Sequence, residues 1–151
     1  MTKVVAAIAL VLSLACPQLV QALETTYFSV DLPDSWELMQ QRETGGVTMA
    51  IFGTKSRDVL VTTVVSSAGG VELKAIAENF ALQYKARRAP QVKNGQASFS
   101  YTPYDKGEGQ AWLALQDDIY MFTTAEGDLR KAREFIKKMK SEKYPSLIPA
   151  P

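Results

Sequence analysis

Histidine is absent from this chain of 151 residues, and cysteine occurs once, at position 16. Imidazole is the usual general base near neutral pH, and imidazole and thiolate are common ligands of transition metals. The composition therefore excludes His general bases, Ser-His-Asp triads and His-ligated metal sites. Cys16 lies in a segment that we expect to be removed, so the processed chain would also lack a thiolate nucleophile.

The N-terminal segment has the pattern of an export signal. Lys3 supplies a positive start, Val4–Ala15 is an almost unbroken apolar run, and Val20-Gln21-Ala22 has the small-residue pattern that signal peptidase recognises. The run is shorter than the ~20 apolar residues that a transmembrane helix needs. We therefore predict a cleaved signal peptide over residues 1–22, a periplasmic or secreted chain from Leu23, and no transmembrane span after processing.

Lipidation at Cys16 is the alternative for this segment, and it would anchor the protein to a membrane. The preceding residues resemble a bacterial lipobox in part, because Ala15 fits but Ser13 stands where leucine is usual. Pro17 directly after the cysteine is a further departure. Cleavage after Ala22 is the preferred interpretation.

The charge balance argues against a nucleic-acid partner. Removing Lys3 with the leader reduces the 17 basic residues to 16, equal to the 16 acidic ones. A neutral chain has no global basic field to attract nucleic acid. Its length suits one domain, which we place at residues 23–143. The Pro-rich segment 144–151 is expected to be an extended C-terminal tail without regular structure.

Hydrophobic periodicity predicts an α+β fold. Apolar and polar residues alternate in several segments, whereas two others have helical spacing and an apolar stripe. Strands are expected over Tyr27–Pro33, Trp36–Arg42, Val47–Gly53, Asp58–Ser67, Ala97–Tyr104, Gln110–Gln116 and Ile119–Thr124, and helices over residues 72–86 and 129–139, the second capped by Asp128. Short polar turns favour antiparallel neighbours. The predicted architecture is an antiparallel β-sheet of about six or seven strands packed against two main helices.

The first predicted strand carries a family resemblance. Phe28–Trp36 is an amphipathic strand that runs into Leu-Pro, two small polar residues and Trp. It resembles the start of PsbP-like domains, a fold named after an extrinsic photosystem subunit and shared by small exported bacterial proteins. In outline the resemblance extends over Tyr27–Lys140. It implies the fold and a binding or accessory role, with no catalytic residue or cofactor to carry over.

Aromatic residues near one predicted turn are candidate binding residues. Tyr101 and Tyr104 flank the polar turn Asp105–Gly109, and Trp112 lies on the following strand. Most aromatic residues of these strands should be core. A subset could line a groove for a peptide, glycan or lipid, because Tyr joins apolar area to a hydroxyl group.

Basic residues form the second candidate site. Arg130, Lys137 and Lys138 belong to a Lys- and Arg-rich final helix, and Lys55-Ser-Arg57 and Arg87-Arg88 are two smaller basic motifs. Any of them could bind phosphate or anionic lipid, and the final helix could also bind an acidic partner. The alternative is a solvated surface, since late-helix lysines also oppose the helix dipole.

Acidic residues give no metal prediction. Asp117-Asp118, with Asp105 and Glu108, could supply oxygen ligands for calcium, but EF-hand spacing is missing and acids are common in turns. We therefore expect an exported cell-envelope binding or accessory module that is noncatalytic and holds no metal or cofactor, with an envelope protein or an anionic surface as partner. The alternatives are a small carboxylate-dependent hydrolase or lyase, which needs converging acids of raised pKa, and a subunit of an envelope assembly.

Overall fold

The computed structural model of the protein describes residues 21–105 and 107–151. Cys16 and nearly all of the predicted signal peptide therefore lie outside the described residues. In chain order the elements are β1 (Ala22–Glu24), β2 (Ser29–Asp31), β3 (Trp36–Thr44), β4 (Val47–Thr54), β5 (Val59–Ser67), α1 (Leu73–Gln83), β6 (Gln91–Lys93), β7 (Gln96–Tyr101), β8 (Glu108–Gln116), β9 (Ile119–Gly127), α2 (Leu129–Ile136) and a 3-10 helix over Pro145–Leu147. Within these two ranges no helix is long and apolar enough to cross a membrane.

The strands form one large sheet and one short ribbon. Seven strands lie in the order β3-β4-β5-β9-β8-β7-β6, each antiparallel to its neighbours, and β1 pairs with β2 separately. Asp117 and Asp118, both at positive φ, form the tight turn between β8 and β9. This architecture confirms the predicted α+β fold with a seven-stranded antiparallel sheet and two helices.

Each face of the sheet carries its own core, because side chains alternate along a strand. On one face, α2, the β1–β2 ribbon and the C-terminal segment cover a core that includes Phe52, Val61 and Trp112. On the other face, α1 covers a smaller aromatic core around Phe99 and Phe122. Residues that are neighbours in sequence on β7 or β8 therefore belong to opposite surfaces of the sheet.

The start of α2 is fixed by local caps and by the β4–β5 turn. Asp128 accepts hydrogen bonds from the backbone N–H groups of Arg130 and Lys131, at 3.1 and 3.2 Å, which confirms the predicted cap. The Asp58 carboxylate binds Lys131 Nζ and also accepts from Thr54 Oγ1 at 2.6 Å. The hydrogen bond from Lys131, followed by that from Thr54, holds the pKa of Asp58 well below its usual range.

Gly127 lets β9 pass close to β5 just before α2 begins. Its φ is +96°, and a Cβ at this position would lie 2.0 Å from the backbone oxygen of Asp58. Only glycine tolerates both the conformation and the close approach. The same Asp58 oxygen accepts the Asp128 N–H at 3.1 Å, so the cap residue is placed by this contact.

The prediction of an extended C-terminal tail is corrected. Residues 145–147 form a 3-10 turn and Leu147 is fully buried. The side-chain amide of Gln96 binds the segment twice. Its Nε2 donates to Ile148 O at 2.7 Å, and its Oε1 accepts from Ala150 N at 3.0 Å. The prolines prevent a longer helix or a strand of the sheet here, but they permit a 3-10 turn. The apolar side chains of the segment pack onto the core beneath this turn.

Candidate functional site

A concavity lined by lysines lies beyond the C-terminal end of α2. The helix ends at Ile136, and Met139 then turns into the core while Lys137, Lys138 and Lys140 stay exposed. After the last helical turn, the one apolar residue thus points into the core and the three lysines point outwards.

The β1–β2 ribbon supplies the opposite wall of this concavity. Lys140 exchanges two backbone hydrogen bonds with Ser29, at 2.8 and 2.9 Å. This bridge brings the end of β2 beside the lysines, and Asp31, Leu32 and Pro33 complete the lining. The cavity volume is about 480 Å³, compared with about 300 Å³ for the concavity beside Arg87. We call this surface the lysine concavity.

The charges of the lysine concavity are only partly compensated. Lys137 Nζ lies 2.9 Å from Glu134 Oε1, and its hydrogen bond lowers the pKa of Glu134. Lys138 and Lys140 make no ion pair within 4.0 Å to any carboxylate of the described residues. Asp31 is the single acid in the lining, so the concavity carries net positive charge at the negative end of the helix dipole.

The structure separates Arg130 from the other two basic candidates. Arg130 lies at the N-terminal end of α2, where its guanidinium is 3.9 Å from Asp128 Oδ2. Lys137 follows seven residues later, about 10 Å along the helix axis at 1.5 Å per residue. Lys137 and Lys138 share the lysine concavity, and Arg130 does not belong to it.

The three aromatic candidates are not brought together. Tyr101 is buried at 3% exposure in the core beneath α1, whereas Trp112, at 5%, faces the core beneath α2. Tyr104 is fully exposed. Of the three, Trp112 lines a concavity, one of about 200 Å³ that it shares with Gln96 and Ala150. The predicted aromatic groove around the turn at residues 105–109 is therefore not assembled by these side chains.

Tyr101 has a structural role instead. Its hydroxyl donates to Glu126 Oε1 at 2.9 Å, and its ring lies over Gly109 on the neighbouring strand, where a Cβ would be 2.6 Å away. Burial, followed by the Glu126 contact, raises the pKa of Tyr101 far above its usual value. Tyr84 packs edge-on against it, with ring centroids 4.9 Å apart.

Acidic residues occur in pairs in two concavities of the described residues. One concavity contains Asp34 and Glu37, and another contains Glu24 with Glu142. Hydrogen bonds from lysines lower the pKa values of Asp58 and Glu134, which line neither of these concavities. A general acid at neutral pH requires a raised pKa. Asp58 and Glu134 are therefore unsuited to that role.

Sequence reasoning missed half of the lysine concavity. Asp31, Leu32 and Pro33 reach the lysines through the Ser29–Lys140 bridge, which joins residues far apart in the chain. Pro33 was visible as part of the Leu-Pro corner, but no local pattern signals its neighbour across the fold. Lys140 was visible as a member of the basic cluster.

Comparison with solved structures places this architecture in the class of PsbP-like folds. The chain is similar to the solution structure of cyanobacterial PsbP (CyanoP) from Synechocystis sp. PCC 6803, with a TM-score of 0.52 and 10% identity over 80% of this chain and 91% of that chain. The predicted resemblance is confirmed at the level of the fold.

A second match is a crystal structure from Bacteroides thetaiotaomicron VPI-5482. Its TM-score is 0.49 at 14% identity, covering 77% of this chain and 45% of that chain, so this chain spans less than half of the Bacteroides protein. No family model and no curated protein sequence matches the chain. The comparisons thus describe a fold, and the functional argument rests on the surface of this protein.

Proposed function

We propose that this protein is a noncatalytic accessory module of the cell envelope that binds an acidic protein partner through the lysine concavity. The observation that carries the proposal is the convergence of Lys137, Lys138 and Lys140 on one concavity, two of them without an ion-pair partner among the described residues. Lysines in such a position offer several donors to carboxylates of a partner and attract it before contact.

A protein partner suits this surface better than an anionic membrane. Basic clusters that recognise anionic lipid usually contain about four to eight Lys or Arg residues on one surface. Here Lys137 is already paired with Glu134, and the concave wall from Asp31 to Pro33 gives the surface a shape. A flat lipid surface would not use that shape, whereas an acidic protein segment would.

The binding test uses a fluorescein-labelled hexaglutamate peptide and, in a separate arm, vesicles containing anionic phosphatidylglycerol. The variant Lys138→Glu/Lys140→Glu should weaken peptide binding about tenfold at low ionic strength, since it reverses two uncompensated charges. Lys137→Glu alone should weaken it less, because Glu134 already neutralises that lysine. Both side chains of the double variant are exposed, so the fold should be kept.

The matched control reverses two basic residues elsewhere. Arg42→Glu/Lys93→Glu changes the net charge by the same amount on exposed positions of β3 and β6, and neither residue has an ion pair within 4.0 Å among the described residues. Equal weakening by both double variants would attribute binding to net charge and would contradict a site at the lysine concavity. Tighter binding to vesicles than to peptide would contradict the choice of a protein partner.

Export is the second part of the proposal, and it rests on the N-terminal sequence. The predicted cleavage point after Ala22 falls in β1, and cleavage there would make Leu23, which is buried in the described structure, the first residue. Intact-mass analysis of the protein from its native envelope should give a chain that starts at Leu23 and carries no acyl group. A lipidated Cys16 as the first residue would contradict this and make the protein membrane-anchored.

A further inference from the structure

The segment between α1 and β6 is basic and runs along the outer edge of β7. It contains Arg87 and Arg88, and no acidic residue occurs from Asn79 to Tyr104. Arg87 N–H donates to Ser100 O at 3.2 Å, which fastens the segment to β7. Beyond this contact the segment leaves the strand before pairing resumes at Gln91 opposite Ser98.

The space between the segment and β7 is a pocket of about 300 Å³. Its polar lining consists of Arg87, Arg88, Gln91, Ser98, Ser100 and Gln110, and no carboxylate belongs to it. Gln110 accepts a hydrogen bond from Arg133 Nη2 at 3.3 Å, so its amide NH₂ is the donor end left for the pocket. Arg133 itself does not line the pocket.

The guanidinium of Arg87 is held in place while that of Arg88 has no protein partner in the described residues. Arg87 Nε and Nη2 both donate to Thr102 Oγ1, at 3.2 and 2.9 Å. Neither arginine lies within 4.0 Å of a carboxylate of the described residues. Glu108, exposed near the start of β8, is the acid closest along the strand to Gln110, and it does not line the pocket.

From these observations we propose that the Arg87–Arg88 pocket is a binding site for a small molecule that carries an oxyanion, either carboxylate or phosphate. The planar guanidinium of Arg88 presents paired donors that match two oxygens of such a group, and the serine hydroxyls and the Gln110 amide supply further donors. A volume near the lower limit of ligand pockets suits a small molecule and not a folded partner. The site is separate from the lysine concavity and does not depend on it.

The test is a titration of the full processed chain with inorganic phosphate and, in a second arm, with acetate, followed by amide chemical shifts. Shifts should concentrate at Ser98, Ser100 and Gln110, with millimolar affinity for at least one of the two anions. Arg87→Gln/Arg88→Gln should weaken binding at least tenfold. The arm with the tighter binding identifies phosphate or carboxylate as the preferred group.

Two further variants separate a built pocket from a general positive field. Arg88→Lys keeps the charge but removes the planar pair of donors, and Thr102→Val keeps every charge but releases Arg87. Both should weaken binding several-fold. Unchanged affinity in both would overturn the proposal, as would equal weakening by the control Arg42→Gln/Arg130→Gln.

The proposed function and this anion site can be tested separately. Lys138→Glu/Lys140→Glu should leave phosphate and acetate binding unchanged, because those residues line a different concavity. Loss of small-anion binding in that variant would contradict the assignment to the Arg87–Arg88 pocket. Absence of shifts with both anions in the wild-type protein would also overturn it.

Discussion

Trp36 lies beneath the corner that Pro33 forms, where its ring stacks on that of Phe135 with a centroid distance of 4.0 Å. The backbone N–H of Trp36 donates to Pro33 O at 2.8 Å, and only 7% of the residue is exposed. The Leu-Pro-x-x-Trp motif thus joins the first corner of the chain to α2. Trp36 is therefore a residue of the core.

Trp36→Ala should lower the free energy of unfolding by about 3–5 kcal/mol, because it removes a buried ring and leaves a cavity against Phe135. Trp36→Phe keeps a ring in that position and should cost less. Urea unfolding followed by circular dichroism measures both variants. A loss below about 1 kcal/mol for the alanine variant would contradict the burial of this side chain.

We expect the Tyr101 phenol to make the protein less stable at alkaline pH. Its raised pKa means that the fold favours the neutral phenol, so stability is full below the ordinary value of 10.0 and falls as pH rises above it. Tyr101→Phe should cost about 1 kcal/mol at neutral pH through the lost hydrogen bond to Glu126. It should also reduce the alkaline loss.

The measurement is urea unfolding of both proteins between about pH 9 and about pH 11. Tyr84 also has a raised pKa, caused first by burial, so a smaller alkaline loss should persist in the variant. Tyr84→Phe is the matched control for the alkaline loss of stability that remains in Tyr101→Phe. Parallel stability curves for the wild type and Tyr101→Phe would show that the Tyr101 phenol does not titrate with unfolding.

At the scale of elements, α1 ends earlier than the predicted residue 86 because Lys85 adopts a left-handed conformation. Its φ is 52°, its N–H donates to Leu82 O at 3.2 Å, and Ala86 N–H donates to Ala81 O at 2.8 Å. These bonds form the helix-ending Schellman motif, whose left-handed position usually holds glycine. A lysine there costs conformational energy that hydrophobic periodicity does not reveal.

Lys85→Gly should therefore stabilise the protein by about 0.5–1 kcal/mol, since it relieves the left-handed strain with no loss of buried contact. Lys85→Ala is the control: it removes the same charge and keeps the strain, so it should give no such gain. Chemical denaturation of the two variants makes the comparison. Equal stability of the glycine and alanine variants would contradict the strained cap.

Local sequence predicted most of the strands and missed two, β1 of the ribbon and β6 of the large sheet. The long strands carry clear alternation and turn residues, and each was expected within a few residues. β1 and β6 contain three residues each, too few for periodicity to register. Asn94-Gly95, both at positive φ, is the strong hairpin signal that would have located β6 and β7 together.

At the scale of the whole molecule, the sequence predicted which segments are basic but not the concave shape of the surfaces that they form. The Lys-rich end of α2 and the Arg87-Arg88 pair are visible in the sequence, but the walls that make them concave come from β2 and β7. Those walls depend on the Ser29–Lys140 bridge and the Arg87–Ser100 contact, which join segments distant in the chain. Tyr101 and Trp112 are buried, whereas Tyr104 is exposed. The sequence could not separate these cases, because an aromatic residue on a strand has the same pattern in a core and in a groove.

The exposed apolar side chains of the described residues bear on the alternative of a subunit in an envelope assembly. They support it less well than the lysines support a binding module. The larger ones are scattered: Met39 on β3, Val47 on β4, Leu82 on α1 and Val92 on β6. A subunit of a stable assembly would be expected to gather such residues on one surface. The lysine concavity is a surface where side chains of one chemistry do converge.

The affinity for the hexaglutamate peptide at two salt concentrations tests the central claim most directly. The wild-type protein should bind at about 0.02 M ionic strength and bind much more weakly at about 0.2 M, because screening shortens the range of exposed charges. Lys138→Glu/Lys140→Glu should lose about tenfold in affinity at the lower salt, and Arg42→Glu/Lys93→Glu should lose little. If the wild type does not bind, or if the two double variants bind alike, the lysine concavity is not the partner site.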